Sequence, residues 1–161
     1  MKIRTDYVSN SSSSSFVINK DADKAAKMFL EDFSEYLVNC CSYETLGETF
    51  SVGVLDKGST DEWHDWMKPE AFAEIYTRGE YDSDTDSHKE PKKPEDITSL
   101  SFECDDWDRN SLMYLVFLYK YFKKFGFEVD VTNSEHEFPP EKNDSFLGKI
   151  LDRLEAIKEG N

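Results

Sequence analysis

Three aspartates alternate with hydroxyl residues in a run that could bind a cation, Asp82-Ser-Asp84-Thr-Asp86-Ser-His88. A calcium loop of the EF-hand type places oxygen ligands at alternate positions, with glycine sixth and a bidentate glutamate twelfth. Here the sixth and twelfth positions hold Ser87 and Lys93. The run therefore predicts an acidic flexible loop, spanning 80–96, rather than a calcium site.

A second acidic cluster, Glu103, Asp105, Asp106 and Asp108, stands where a predicted strand passes into a helix. Carboxylates at such a junction can hold Mg²⁺ for phosphate chemistry. They also suit the free N–H groups and the positive end of a helix N-terminus. No phosphate-binding glycine loop accompanies the cluster, so we predict helix capping, with no metal and no cofactor. The alternative is a small metal-dependent enzyme that acts on a phosphorylated substrate through the Glu103–Asp108 cluster.

The histidines form no recognisable catalytic array. His64 lies between two tryptophans, while His88 and His136 fall in predicted loops. Neither a His-Glu-x-x-His sequence nor a Gly-x-Ser-x-Gly nucleophile motif is present. Because no catalytic constellation is visible, the sequence favours a protein that is not an enzyme.

Two of the three tryptophans lie on either side of His64, and both have two interpretations. Trp63 and Trp66 could anchor a short helix to the core. If exposed, they would form a partner-binding hot spot ringed by Asp61, Glu62 and Asp65.

The net charge of −15 is concentrated in one segment. Residues 56–108 hold 17 acidic and 6 basic side chains, a balance of −11, whereas 1–55 and 109–161 balance at −3 and −1. Such a field repels nucleic acid and membranes and attracts basic surfaces. Solubility alone is the other explanation. We expect a basic protein partner, with no direct binding of nucleic acid or membrane. The residues expected to bind it are Asp61, Glu62, Trp63, Asp65, Trp66, Asp82, Asp84 and Asp86.

The first 16 residues contain Arg4-Thr-Asp-Tyr7-Val-Ser9-Asn, then the serines Ser11, Ser12, Ser13, Ser14 and Ser15, then a phenylalanine. This segment resembles the opening of small uncharacterised bacterial and phage proteins, which read Arg-x-Asp-Phe-Val-Thr-Asn, a serine run and Phe. Tyr7 and Ser9 depart from that pattern. The resemblance implies a bacterial or phage setting and no activity. The serine run could bind an anion, be modified, or connect two strands flexibly.

Hydrophobic periodicity predicts about five strands and four or five helices. The predicted strands are Lys2–Val8, Phe16–Ile18, Phe50–Val54, Leu100–Cys104 and Phe127–Val131. The predicted helices are Asp21 to about Asn39, Ser59 through Met67, Pro69–Tyr76, Leu112–Phe125 and Phe146–Ile157. The fourth helix is apolar on nearly every side, which predicts a central position.

These elements indicate one domain over 1–161, of the α/β or α+β class, with one sheet packed against the helices. Three cysteines without Cys-x-x-Cys spacing argue against a disulfide scaffold or zinc site. No run of apolar residues is long enough to cross a membrane, and the charged first residues do not resemble a signal peptide. We therefore expect a cytoplasmic protein. A non-enzymatic binder of a basic, for instance nucleic-acid-binding, partner fits these features. One form would be a phage-type antagonist of a host defence complex.

Overall fold

The computed structural model describes residues 13–32, 50–58, 64–105 and 109–133, together with 152, 155, 156, 159 and 160. The predicted strand Lys2–Val8 lies outside these residues, as does most of the predicted C-terminal helix.

The architecture is α+β, with one five-stranded sheet, a two-stranded hairpin and helices packed against the larger sheet. The strands are β1 (Ser13–Ile18), β2 (Ser51–Asp56), β3 (Asp65–Met67), β4 (Tyr81–Asp82), β5 (Ser87–His88), β6 (Ile97–Asp105) and β7 (Asp130–Asn133). The helices are α1 (Ala22–Asp32), α2 (Pro69–Thr77), α3 (Arg109–Lys124) and a 3₁₀ helix, Pro94–Asp96. Among the described residues there are thus three α-helices, fewer than the four or five predicted.

The large sheet has the order β3-β2-β6-β1-β7, and every pair of neighbours is antiparallel. Because β1 lies between β6 and β7 and opposes both, those two strands run parallel without touching. The α3 crossover therefore passes over β1. It therefore does not join neighbouring strands.

One face of the sheet forms the core, because alternate residues of a strand point to the same side. Phe102 of β6 lies at the centre of this core. The centroid of its ring is 5.2 Å from that of Phe16, 5.3 Å from that of Phe29 and 5.3 Å from that of Phe122. These rings come from β1, α1 and α3, so aromatic contacts join both helices to the two central strands.

Helix α3 is buried along most of its described length, as predicted. Leu115–Leu118, Tyr121 and Phe122 are buried, and only the last turn, with Lys123 and Lys124, is exposed. Gly126 follows with φ +95°, a left-handed conformation that suits glycine after a helix.

The predicted helix through Trp66 and Met67 is wrong, because these residues form strand β3. They pair with β2, where Gly53 faces Trp66. A Cβ at Gly53 would come within 3.0 Å of the Trp66 ring, so the glycine leaves room for the indole. The helix-like pattern is local, and the pairing with β2 overrides it. Residues 59–63 lie outside the described part of the chain.

Two further segments carry more regular structure than the sequence predicts. Ser13–Ser15, for which a flexible connection was one of the three interpretations, belong to β1. The segment 80–96, predicted to lack regular structure, contains the hairpin β4–β5 and the 3₁₀ helix. Its flexibility remains a prediction.

Candidate functional site

The β4–β5 hairpin presents the alternating aspartates, and its backbone is tied to α2. Lys89 N donates to Glu80 O at 2.8 Å, and Lys92 N donates to Ile75 O at 3.0 Å. Gly79 makes the turn possible, since it has φ +88° and a Cβ there would lie 1.8 Å from Lys89 O. Only glycine fits so close a backbone approach. The hairpin is therefore held in a defined place after the C-terminal end of α2.

Two carboxylates of the hairpin are oriented by hydrogen bonds within it. Asp82 Oδ1 accepts a hydrogen bond from Asp84 N at 2.9 Å, and Asp86 Oδ1 accepts one from the Tyr81 hydroxyl. That hydrogen bond raises the pKa of Tyr81. Asp86 has φ +53°, which aspartate and asparagine tolerate better than most residues. These contacts use one Oδ1 atom each and explain the positions of Asp82 and Asp86 without a calcium ion.

An exposed aromatic ring stands beside these carboxylates. Tyr81 is 49% exposed, and its ring meets the His88 ring edge-on at 5.4 Å. His88 Nδ1 donates to Gly79 O at 3.0 Å and lies 4.0 Å from Glu74 Oε1. The hairpin thus offers a supported aromatic surface within an acidic environment, and aromatic rings of this kind are enriched in protein interfaces.

The other predicted partner-binding residues lie elsewhere. Asp65 is exposed at the start of β3, on the N-terminal side of α2, whereas the hairpin follows its C-terminal end. Trp66 is half-buried against Gly53 and has its ring 5.9 Å from that of His64, so it anchors β3 to the sheet. Asp61, Glu62 and Trp63 lie outside the described residues.

The acidic cluster at the end of β6 is described only in part. Glu103 is half-buried and opposes Ser15 on one side and Ser51 on the other. Asp105 ends the strand, but its side chain, like Asp106 and Asp108, is outside the described set. Among the described side chains, no group of three or more His, Cys, Asp or Glu could hold a metal ion.

A cluster that the sequence reading missed joins His64 to the sheet face opposite the core. His64 Nε2 lies 2.9 Å from Ser99 Oγ and 3.1 Å from Ser101 Oγ. Ser99 donates its single hydroxyl proton to Asn19 Oδ1 at 2.9 Å, so His64 Nε2–H is the donor to Ser99. Both serines are about 95% buried, with 4% and 5% of their surfaces exposed. The cluster therefore fastens the start of β3 to β6 and is not arranged for nucleophilic attack. The alternation of serines with Leu100 along β6 was its only sequence signal.

Part of the serine run lies in a strand, which the sequence did not indicate. Ser14 and Ser15 are fully buried in β1, and Ser15 Oγ lies 2.8 Å from Thr132 Oγ1 of β7. Burial removes these two hydroxyls from any anion in solvent. For Ser11 and Ser12, outside the described residues, and for Ser13, whose side chain is not described, anion binding or modification remains a prediction.

Comparison with known proteins supplies no relative, since neither a protein family, nor a curated protein, nor a solved structure matches this chain. Within the part of the chain that the structure describes, no helix is long and apolar enough to cross a membrane.

Proposed function

We propose that this protein is a non-enzymatic acidic interaction protein that binds a basic protein surface through the β4–β5 hairpin. The observation that carries the proposal is the hairpin itself, where Asp82, Asp84 and Asp86 stand beside the exposed ring of Tyr81. Hydrogen bonds within the hairpin hold the carboxylates of Asp82 and Asp86, so binding would order fewer additional side chains. A nucleic-acid-binding protein is a suitable partner, since its own surface is basic.

The distribution of charge supports the same function. The segment 56–108 carries a balance of −11, and its exposed acids include Glu74, Glu80 and Glu90 around the hairpin. A concentrated field of one sign speeds association with an oppositely charged surface and discriminates against partners of the same sign. An antagonist that occupies the nucleic-acid-binding face of a host defence complex would be one form of this function.

The test is affinity capture from a bacterial lysate on the immobilised full chain. We expect a basic protein to be retained at low salt and released at high salt, because salt screens exposed charges. A variant with Asp82→Asn, Asp84→Asn and Asp86→Asn should retain much less of it. Asparagine preserves the turn, since its side-chain oxygen can accept the same hydrogen bonds.

A matched control removes three exposed carboxylates outside the 56–108 segment, by Glu31→Gln, Glu128→Gln and Asp130→Asn. This control should retain the basic protein as the parent does. Equal retention by the hairpin variant and the parent would contradict the assignment of the surface to the hairpin.

A further inference from the structure

Strand β7 forms one edge of the described part of the large sheet. It is the last strand in the order β3-β2-β6-β1-β7, and β1 pairs with one side of it. Asp130, Val131 and Thr132 are consecutive and all exposed, although alternate residues of a strand point to opposite faces. A strand that is exposed on both faces at the edge of a sheet offers backbone N–H and C=O groups to a further strand.

The residues 128–131 separate into an apolar side and an acidic side. Val131 lies opposite Phe16 of β1, whose ring is in the core, and Val129 packs against the same core. Val131 is nevertheless 40% exposed, so the apolar face of the sheet reaches solvent at this edge. Glu128 and Asp130 alternate with the two valines and are exposed on the other side.

The carboxylate of Glu128 is held only weakly by the described part of the chain. Its Oε1 lies 4.0 Å from Lys20 Nζ, and the two side chains are 72% and 70% exposed. An ion pair that is this long and this exposed contributes little. The acidic side of 128–131 can therefore accept further cations.

The predicted strand Lys2–Val8 has the complementary pattern. Ile3 and Thr5 alternate with the basic residues Lys2 and Arg4. A strand beside 128–131 that turned Ile3 and Thr5 toward the core face would place both basic side chains on the acidic side. Apolar pairs and pairs of opposite charge on neighbouring strands each stabilise a sheet.

The position of Ser13 sets the direction of such a strand. Ser13 begins β1, and Ser15 lies opposite Asn133, at the end of β7. A strand on the outer side of β7 lies two strand spacings from β1, roughly 10 Å. Residues 9–12 can span that distance, because an extended chain covers about 3.3 Å per residue. They cannot also run back along β7, so the added strand must end where β7 ends and run parallel to it.

The parallel direction matches charge with charge. The register that places Arg4 beside Asp130 also places Lys2 beside Glu128. It leaves Val8 near the end of β7, where residues 9–12 begin their crossing to Ser13.

We propose that Lys2–Val8 is a sixth strand of the large sheet, parallel to β7 on its outer side, and that residues 9–12 cross the end of β7 to reach β1. This inference goes beyond the proposed function and is independent of it. Pairing within one chain covers an edge that could otherwise join other chains. It gives the N-terminal segment a role and makes the serines within 9–12 a connector.

The test is hydrogen exchange, in the full chain, of the β7 backbone amides that face away from β1. We expect Arg4→Glu and Asp130→Arg each to speed this exchange about fivefold after correction for intrinsic rates, because each places like charges side by side. The double variant restores a pair of opposite charges, so its exchange should return toward that of the parent. Ile3→Asp should speed exchange as Arg4→Glu does, because it places a carboxylate beside Val129.

The matched control is Arg78→Glu, the same change at an exposed arginine directly after α2. It should leave exchange in β7 unchanged. Unprotected amides in the parent, or a double variant that exchanges as fast as the single variants, would overturn the pairing. Protection in the parent that increases with protein concentration would mean that a second copy supplies the strand, and would overturn pairing within one chain.

Discussion

At the scale of single residues, a polar contact joins two helices in the described part of the core. The Tyr121 hydroxyl of α3 donates to Asp32 Oδ2 of α1, and both side chains are buried. Burial raises the pKa of Tyr121, and the charge of Asp32 and the hydrogen bond raise it further. Removing the hydroxyl leaves a buried carboxylate with one donor fewer, which is costlier than removing both partners.

We predict that Tyr121→Phe lowers the free energy of unfolding by about 1–3 kcal/mol at neutral pH. The effect has a pH dependence of known sign. Because the folded-state pKa of Tyr121 lies above that of the unfolded chain, its contribution is complete below the usual tyrosine pKa, about 10, and falls as the pH rises beyond it. Urea denaturation from pH 8 to 11 should therefore show a steeper loss in the parent than in Tyr121→Phe. Parallel curves would contradict the assigned cause.

Two glycines with left-handed backbones give a second residue-scale prediction. Gly79 and Gly126 have φ of +88° and +95°, but a Cβ would collide with Lys89 O at Gly79 and would meet nothing within 4 Å at Gly126. Gly126→Ala should cost about 1–2 kcal/mol, the strain of the conformation alone. Gly79→Ala should cost more and should detach the hairpin from α2. Denaturation measures the costs, and amide exchange at Lys89 and Lys92 reports the detachment. Equal costs would mean that the close approach is absent.

At the scale of elements, the sequence predicts the helices and strands that have a long hydrophobic pattern or a residue such as proline at one end. Helix α2 begins at Pro69 as expected, and β2, β6 and α3 follow their hydrophobic periodicity. Strand β3 was missed because a three-residue strand has no measurable period, and its position depends on pairing with distant β2. The hairpin was missed for the same reason.

Whether a candidate site can be predicted from the sequence also depends on how far apart its residues lie in the chain. The acidity of the hairpin can be predicted from the sequence because its aspartates are close together in the chain. The cluster of His64 with Ser99 and Ser101 cannot be predicted in the same way, since it joins residues 35 and 37 positions apart in the chain.

The metal-dependent alternative gives a prediction for the β6–α3 junction. If Asp105, Asp106 and Asp108 cap the helix, millimolar Mg²⁺ should leave the melting temperature nearly unchanged, because a ligand that binds only weakly stabilises little. Calorimetric titration with Mg²⁺ and thermal melts check this. Micromolar binding that disappears in Asp105→Asn would instead support an enzyme acting on a phosphorylated substrate.

At the scale of the whole molecule, the charge is distributed unevenly among the elements of the fold. The first and last thirds of the chain are nearly balanced and include β1, α1 and α3, whereas most of the excess lies in 56–108, which includes β3, α2 and the hairpin. The neutral part builds most of the core. Substitutions of exposed carboxylates in the acidic part should therefore change binding with little effect on folding.

The most direct test of the central claim is the association rate between this protein and the captured basic partner, measured by surface plasmon resonance. Charge at a distance acts mainly on association, and salt screens it with a Debye length of about 10 Å at 0.1 M. We predict that association slows steeply from low to high salt, and that it slows about tenfold at low salt in the variant with Asp82, Asp84 and Asp86 changed to Asn. Dissociation should change less. An association rate that responds neither to salt nor to the triple substitution would contradict binding through the hairpin and leave solubility as the role of the acidic segment.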